Sequence, residues 1–309
     1  MKTFILLILG MTCISLGGVC QTFAPLLYYN FEGTLEDHSG NNFHGVGTSI
    51  LFETGPGTLN VTSASFNGEN SFIELPSAPE LNLDVPFSYS FWLWLDEYSP
   101  GILTLDFIED QHSGSWIALT PDDWKIALCT GDGGDCAPDS RIALISDVEL
   151  ELNTWYHVLG IVRDYDDMSL YIDCTEVDAQ YDGEGNYLFW GQSAPGSLGR
   201  KDGSVWQDPY YFKGRLDEFR IWDRELLPVE IGFLCNRDLD FENELGIIES
   251  ATSLRSTVWI FDVQGRLVLG PLTGLGDSLQ DVTSSLESGI YVTVISNGKT
   301  IKTQRFFIP

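Results

Sequence analysis

Basic side chains are scarce in this 309-residue chain: 16 Lys and Arg stand against 45 Asp and Glu, a formal net charge of −29 at pH 7. A surface this acidic repels phosphate backbones and anionic headgroups, which excludes nucleic acid and acidic lipid as natural partners. Histidine is also sparse. His38, His44, His112 and His157 do not cluster at ligand or triad spacing, and no C-x-x-C pair is present, so zinc chemistry is disfavoured. There is no G-x-S-x-G elbow and no P-loop. Helical periodicity is nearly absent, as is any repeat of solenoid period. Beyond the first 20 residues no apolar run is long enough to span a bilayer.

What is present begins with an export signal over residues 1–20. Lys2 supplies the positive start, Phe4-Ile5-Leu6-Leu7-Ile8-Leu9 the apolar run, and Ser15, Gly17 and Gly18 the small residues before cleavage. Cleavage after Cys20 leaves Gln21 first; a lipid anchor on Cys20 is the alternative, but Val19 fits a lipobox poorly. Removing the signal discards Cys13 and Cys20 and leaves Cys129, Cys136, Cys174 and Cys235. An even number in an exported chain points to disulfides, and four cysteines allow three pairings. The favoured pairs are Cys129–Cys136, across a Gly-rich hairpin tip, and Cys174–Cys235, tying a late hairpin to the end of the main domain.

The charge is unevenly placed. Residues 21–244 carry 40 acidic and 10 basic side chains, whereas residues 245–309 carry 5 of each. That shift sets a domain boundary near 240–250. Within the acidic part, short alternating segments are bounded by turn residues. Phe87–Leu95 is the clearest: Phe87, Tyr89, Phe91, Leu93 and Leu95 share one face, while Ser88, Ser90, Trp92 and Trp94 share the other. That second face turns from polar to apolar, so one end should lie under another sheet or loop. Further strands are expected at 26–31, 63–66, 71–75, 102–107, 115–119, 124–129, 141–146, 155–164, 168–174, 196–198 and 212–222, with a short helical turn at 228–234. After Glu244, strands at 257–263, 266–269, 289–296 and 299–308 form a second small unit, the last two joined across Asn297-Gly298, a type I′ hairpin signal. The fold class is all-β: an antiparallel jelly-roll sandwich followed by a small C-terminal β-sandwich.

Several segments occur in the order found in one family. Tyr28-Tyr29-Asn30-Phe31 with Asp37-His38-Ser39-Gly40-Asn41, Ser65-Phe66-Asn67-Gly68 with Phe72-Ile73-Glu74-Leu75, Trp155-Tyr156-His157-Val158, and Phe212–Arg224 make up the set. Together they resemble the laminin-G-like, pentraxin-like jelly roll of the concanavalin A-like superfamily. Val258–Val263, Gly265-Arg266-Leu267-Val268 and Gly289-Ile290-Tyr291 resemble the type A sorting domain of the Bacteroidota type IX secretion system, without its usual Y-P-N-P opening. The expected layout is a jelly roll over 21–236, a linker over 237–248 and a sorting domain over 249–309, which implies the type IX machinery as a partner and a secreted or cell-surface location. The resemblance also implies a structural Ca2+ held between the opening loop and the closing strand by Asp37, Asn41 and Asp217. The alternative for Asp217 is an ion pair with Arg215 or Arg220.

The binding candidates are Trp190, Trp206, Asp208 and Tyr210, in loops rich in Gly, Asp and Pro, where aromatic rings can stack on sugar faces while carboxylates orient hydroxyls. The competing reading is that these rings cap the sandwich. Trp92, Trp155 and Trp222 lie in strands and read as core. Acidic turns at Asp132, Asp135 and Asp139, and at Asp164, Asp166 and Asp167, lack EF-hand spacing and read as solvated tips. The superfamily includes glucanases, but a retaining glycosidase needs two carboxylates about 5–5.5 Å apart. No E-x-D-x-x-E run supplies them, and Glu149 and Glu151 lie in the polar approach to Trp155. The leading expectation is therefore a non-catalytic binding module for a glycan or a surface protein, with a structural or adhesive role as the alternative and glycoside hydrolysis a more remote one.

Overall fold

A computed structural model describes residues 25–56, 62–106, 108, 111–135, 137–191, 196–201, 210–226, 230–231, 234, 257–262, 267–273, 289–296 and 301–308. The strands are β1 (Leu27–Tyr29), β2 (Val46–Thr48), β3 (Leu51–Thr54), β4 (Thr62–Asn67), β5 (Phe72–Glu74), β6 (Phe87–Leu95), β7 (Leu103–Thr104), β8 (Ser115–Leu119), β9 (Lys125–Gly131), β10 (Arg141–Glu149), β11 (Trp155–Asp164), β12 (Asp167–Ile172), β13 (Thr175–Glu176), β14 (Ala179–Gly183), β15 (Ser197–Leu198), β16 (Arg200–Lys201), β17 (Tyr210–Tyr211) and β18 (Lys213–Trp222). Four more, β19 (Thr257–Asp262), β20 (Leu267–Thr273), β21 (Gly289–Ser296) and β22 (Ile301–Ile308), form a separate sheet in the order β20-β19-β21-β22.

Two eight-stranded antiparallel sheets make the sandwich. The first runs β13-β12-β11-β6-β18-β4-β3, with β1 also on β18; the second runs β14-β10-β9-β8-β7-β15-β5-β2. All five residues on the apolar face of β6 are at most 1% exposed. They share one core with Phe31, Phe66 and Phe219 of the first sheet and with Ile73, Leu103, Ile117, Leu128 and Leu144 of the second. Each fully buried side chain of this size contributes about 1.5–3 kcal/mol. The Tyr29 and Phe219 rings lie 6.2 Å apart, so the opening and closing strands belong to one folding unit.

The segment 63–75 departs from a simple hairpin, because β4 lies in the first sheet and β5 in the second. The corner is built by Asn67, whose side-chain oxygen accepts the N–H groups of Glu69 (2.8 Å), Asn70 (3.0 Å) and Ser71 (3.2 Å). Gly68 supplies the positive φ of 74° that the corner needs. In the C-terminal sheet Ser296 pairs with Ile301. The expected turn at Asn297-Gly298 lies outside the described residues.

The outer face of the first sheet corrects two assignments. Trp92 and Trp155 are not in the core: they are half-buried on the outer face, where the Trp94 and Trp155 rings meet at 5.6 Å and Trp92 lies 5.2 Å from His157. Trp222 is buried there too, in a small second core with Leu159, Ile161, Leu226 and Ile231. The cover over β6 falls on its serine end, where Ser88 Oγ donates to the Arg224 carbonyl at 2.9 Å and Ser90 Oγ lies 2.9 Å from His157 Nε2. Residues 230, 231 and 234 are helical. A bidentate ion pair fastens this segment, with Arg224 donating to Glu230 at 2.7 and 2.8 Å.

Candidate functional site

At one end of the sandwich β7 runs out into Leu105 and Asp106. Alternation along β7 turns Leu105 into the core and Asp106 to the opposite side. There it is covered by loops distant in sequence. Asp106 is only 5% exposed and takes a φ of 93°, a strained conformation for a non-glycine residue. Its Oδ2 accepts the Gly191 N–H at 2.6 Å. Its Oδ1 is buried with no hydrogen-bond partner among the described residues.

Asp106 lines a cavity of about 220 Å³ together with Leu75, Pro76, Pro79, Leu105 and Gly196. The loop from β5 to β6 forms one wall, and the ends of β7 and β15 form the other. Trp190 braces this arrangement from outside the lining. Its indole N–H donates to the Leu83 carbonyl at 3.0 Å, pinning the β5–β6 loop. Gly114 lets the ring approach, since any side chain there would meet the Leu105 carbonyl oxygen at 2.6 Å and Trp190 at 2.8 Å. The arrangement is a small recess whose wall mixes apolar side chains with the polar residues Ser77, Asn82 and Asp106.

The sequence candidates do not all gather here. Trp190 adjoins the cavity. Tyr210, 52% exposed, pairs with Lys201 beyond the other end of β15 from Gly196. Trp206 and Asp208 lie outside the described residues. Asp106 was missed, because one Asp after an alternating Leu103-Thr104-Leu105 reads as a solvated strand end.

Asp37 and Asn41 lie in the opening loop. The Asp37 carboxylate accepts four hydrogen bonds: from the Tyr28 and Ser39 N–H groups at 3.0 and 2.9 Å, from Ser39 Oγ at 2.7 Å and from the Phe43 N–H at 3.0 Å. Asn41 Nδ2 donates to the Leu26 carbonyl at 2.8 Å. Asp37 and Asn41 therefore organise their own loop. Asp217 is fully buried and faces elsewhere: a side chain at Gly55 would meet Asp217 Oδ2 at 3.0 Å and the Thr62 carbonyl oxygen at 2.8 Å. Thr62 Oγ1 in turn lies 3.4 Å from Glu32 Oε2, and Glu32 Oε1 is buried without a hydrogen-bond partner among the described residues. Arg215 pairs with Glu53 at 3.2 Å, and Arg220 pairs with Glu218. Burial works against charge on Arg220, but the Glu218 carboxylate and its other anionic neighbours prevail, so its pKa is raised.

Among the described residues no three His, Cys, Asp or Glu side chains are grouped so as to hold a metal. Asp132 Oδ1 accepts from the Gly134 N–H at 3.0 Å and Asp164 Oδ1 from the Tyr165 N–H at 2.8 Å, but Asp132 is buried rather than the solvated tip expected. Cys129 is buried in β9 and Cys174 lies in the turn after β12 at a φ of 68°; Cys136 and Cys235, their expected partners, lie outside the described residues. Glu149 ends β10 opposite Lys125, and the Glu151 N–H donates to the Tyr156 hydroxyl at 3.0 Å; neither lines the cavity. No described helix is long and apolar enough to cross a membrane.

Comparison with known proteins agrees with this architecture. Residues 67–232 match the family described as the concanavalin A-like lectin/glucanases superfamily, and residues 242–309 match the secretion system C-terminal sorting domain. The sorting domain directs the chain through type IX secretion to the cell surface or outside. No curated protein sequence matches. Among solved structures, the binding domain of Paraclostridial Mosquitocidal Protein 1 superposes with a TM-score of 0.52 at 17% identity, covering 93% of this chain and 75% of its own. A botulinum neurotoxin type C structure, described as depending on two ganglioside molecules to enter cells, gives 0.51 at 12% identity, covering 91% and 72%. The binding domain of botulinum neurotoxin DC in complex with SialylT gives 0.50 at 12% identity, covering 91% and 73%. At these identities the likeness is one of fold.

Proposed function

Because the chain belongs to the concanavalin A-like lectin/glucanases superfamily, we propose that its sandwich is a non-catalytic glycan-binding module displayed at the cell surface or released from it. The observation that carries this reading is the recess beside β7, lined by the polar residues Ser77, Asn82 and Asp106 among apolar ones. A concave site in which a few fixed polar groups orient the ligand is the general form of a small-ligand site. Among the described residues Asp106 is the only carboxylate lining it, whereas glycoside hydrolysis by a retaining or inverting route uses two. The glycan ligands named for the structurally similar toxin domains support the class of ligand, not its identity. A glycan array probed with the mature chain tests this. Saturable binding to defined sugars is expected, weakened by Asp106→Asn; its absence overturns the reading.

A structural or adhesive role is the second reading, favoured by the outer face of the first sheet. There the Trp94–Trp155 pair is half-buried, and Leu51 is 66% exposed on the edge strand β3 of the same sheet. Self-association abolished by Trp155→Ala, with no sugar bound, would favour it.

Calcium belongs to the proposal as a structural ion. Glu32 and Asp217 would hold it, while Asp37 and Asn41 fix the adjoining loop. The support is the buried, unpartnered Glu32 Oε1 and the acceptor-only chemistry of the set, which suits a hard cation. The Cys129–Cys136 and Cys174–Cys235 disulfides are proposed on the same footing, from cysteine count and export.

A further inference from the structure

We propose that the outer face of the first sheet carries a second glycan site, a row of side chains that takes a neutral polysaccharide chain lying across the strands. The inference rests on the glycan-binding reading and adds to it a ligand of several rings, held by residues that share nothing with the lining of the recess.

Strand register writes the row. Leu51 of β3 lies opposite Ser65 of β4, Ser65 opposite Arg215 of β18, Arg215 opposite Trp94 of β6, and Trp94 opposite Trp155 of β11. Their chain neighbours Ala64, Phe66, Leu93, Leu95 and Leu216 lie in the core, so alternation turns the row outward. Four inter-strand steps of about 4.8 Å make it roughly 19 Å long.

This outer face is roofed unevenly. Toward the Ser88 end, the segment carrying Leu226 and Ile231 covers Trp222. At the other end Trp92, Trp94 and Trp155 each keep part of their surface open to solvent. An antiparallel sheet ordinarily sets polar side chains on the face that meets water. Three tryptophans gathered at the open end serve no packing in the main core, and grouped apolar surface in solvent marks a contact. The rings are also held in place. The Arg215 guanidinium lies 4.9 Å from the centre of the Trp94 ring, and the Trp155 ring lies 5.6 Å from it. The Trp94 indole N–H donates to Asp96 Oδ1 at 2.8 Å. Side chains fixed beforehand lose little entropy when a ligand arrives.

The groups beside the rings set the chemistry of the occupant. Glu53 and Asp96 lie 3.2 and 3.9 Å from the Arg215 guanidinium, and their side chains are 46% and 34% exposed. An ionised carboxylate only accepts hydrogen bonds, so the occupant donates to them. Aromatic surface flanked by open acceptors suits a sugar, which presents C–H groups on its ring faces and hydroxyls around its rim. Charge decides between kinds of occupant. The row sets two carboxylates against one guanidinium, on a domain whose residues 21–244 carry 40 acidic and 10 basic side chains. An acidic polysaccharide, or a second copy of the domain, brings like charge against this face, whereas a neutral chain does not.

The test is a tryptophan-fluorescence titration of the mature full-length chain with cellohexaose, laminarihexaose, xylohexaose and mannohexaose, with glucose as the single ring and hexagalacturonate as the acidic chain. At least one neutral hexasaccharide is expected to shift the emission saturably, to bind at least tenfold more tightly than glucose, and to be insensitive to added salt, since stacking is not screened. Trp155→Ala, at an unchanged melting temperature, should weaken that binding at least tenfold, and Trp155→Tyr should restore most of it. Should Trp155→Ala melt lower, Glu53→Gln at the exposed flank takes its place and should weaken binding severalfold. Hexasaccharide binding unchanged in these variants, or tighter binding of hexagalacturonate, would overturn the inference while leaving glycan binding elsewhere on the module standing. Self-association lost in Trp155→Ala, with no neutral hexasaccharide bound, would overturn it in favour of a second copy. If no glycan of any length binds anywhere on the chain, the glycan-binding reading fails with it.

Discussion

Asp37 and Asp106 are both buried carboxylates in loops at strand ends, and they are treated in opposite ways. Asp37 accepts four hydrogen bonds from its own loop and from β1, so every direction in which it could bind a partner is filled from within. Asp106 has one oxygen held by Gly191 and the other facing no donor. A satisfied buried polar group specifies local structure, whereas an unsatisfied one costs stability unless something outside the protein completes it. The comparison separates an acid that organises its own loop from one with an oxygen that the described residues leave unsatisfied.

Substitutions can break or sharpen that contrast. The largest loss is expected at a third buried carboxylate: Glu230→Gln strands Arg224 and should cost about 3–5 kcal/mol in denaturant unfolding. Asp37→Ala should cost at least about 3 kcal/mol, because several loop donors lose a charged acceptor at once. Glycan binding by this variant, measured below its melting temperature, should be unchanged. Cys174→Ser should lower stability by about 2–4 kcal/mol under oxidising conditions, and an equal stability of wild type and variant would remove the Cys174–Cys235 pair. A chelator should lower the melting temperature by a few degrees, reversed by added calcium, since a ligand of the native state alone raises stability. Glu32→Gln should be insensitive to both additions, and an unchanged wild-type melting temperature would dismiss calcium. The smallest effect on stability belongs to Asp106→Asn, within about 1 kcal/mol.

Much of the fold was legible in the sequence. The strict alternation in Phe87–Leu95 located β6 to the residue, because a strand buried on one face writes a period of two. The short strands β2 and β3 were missed: with Val46, Leu51 and their neighbours mostly exposed, no face is buried and no period is written. Trp92 and Trp155 were placed in the core because they lie in strands, although alternation alone sets Trp92 opposite Phe91, on the outer face that the structure gives it. The site was less legible. Trp190 could be singled out as a loop aromatic, but its work is to brace Leu83. Asp106 owes its burial to segments around 75–83 and 190–191, and no local pattern around residue 106 encodes that approach.

Parallel measurement of melting temperature and glycan binding at the recess for Asp37→Asn and Asp106→Asn separates the two roles most directly. Asp37→Asn should melt well below wild type yet bind as wild type does when folded, and Asp106→Asn should melt as wild type does yet bind at least tenfold more weakly. The reverse pattern, with stability lost at Asp106 and binding lost at Asp37, would contradict the assignment of the recess as the ligand site.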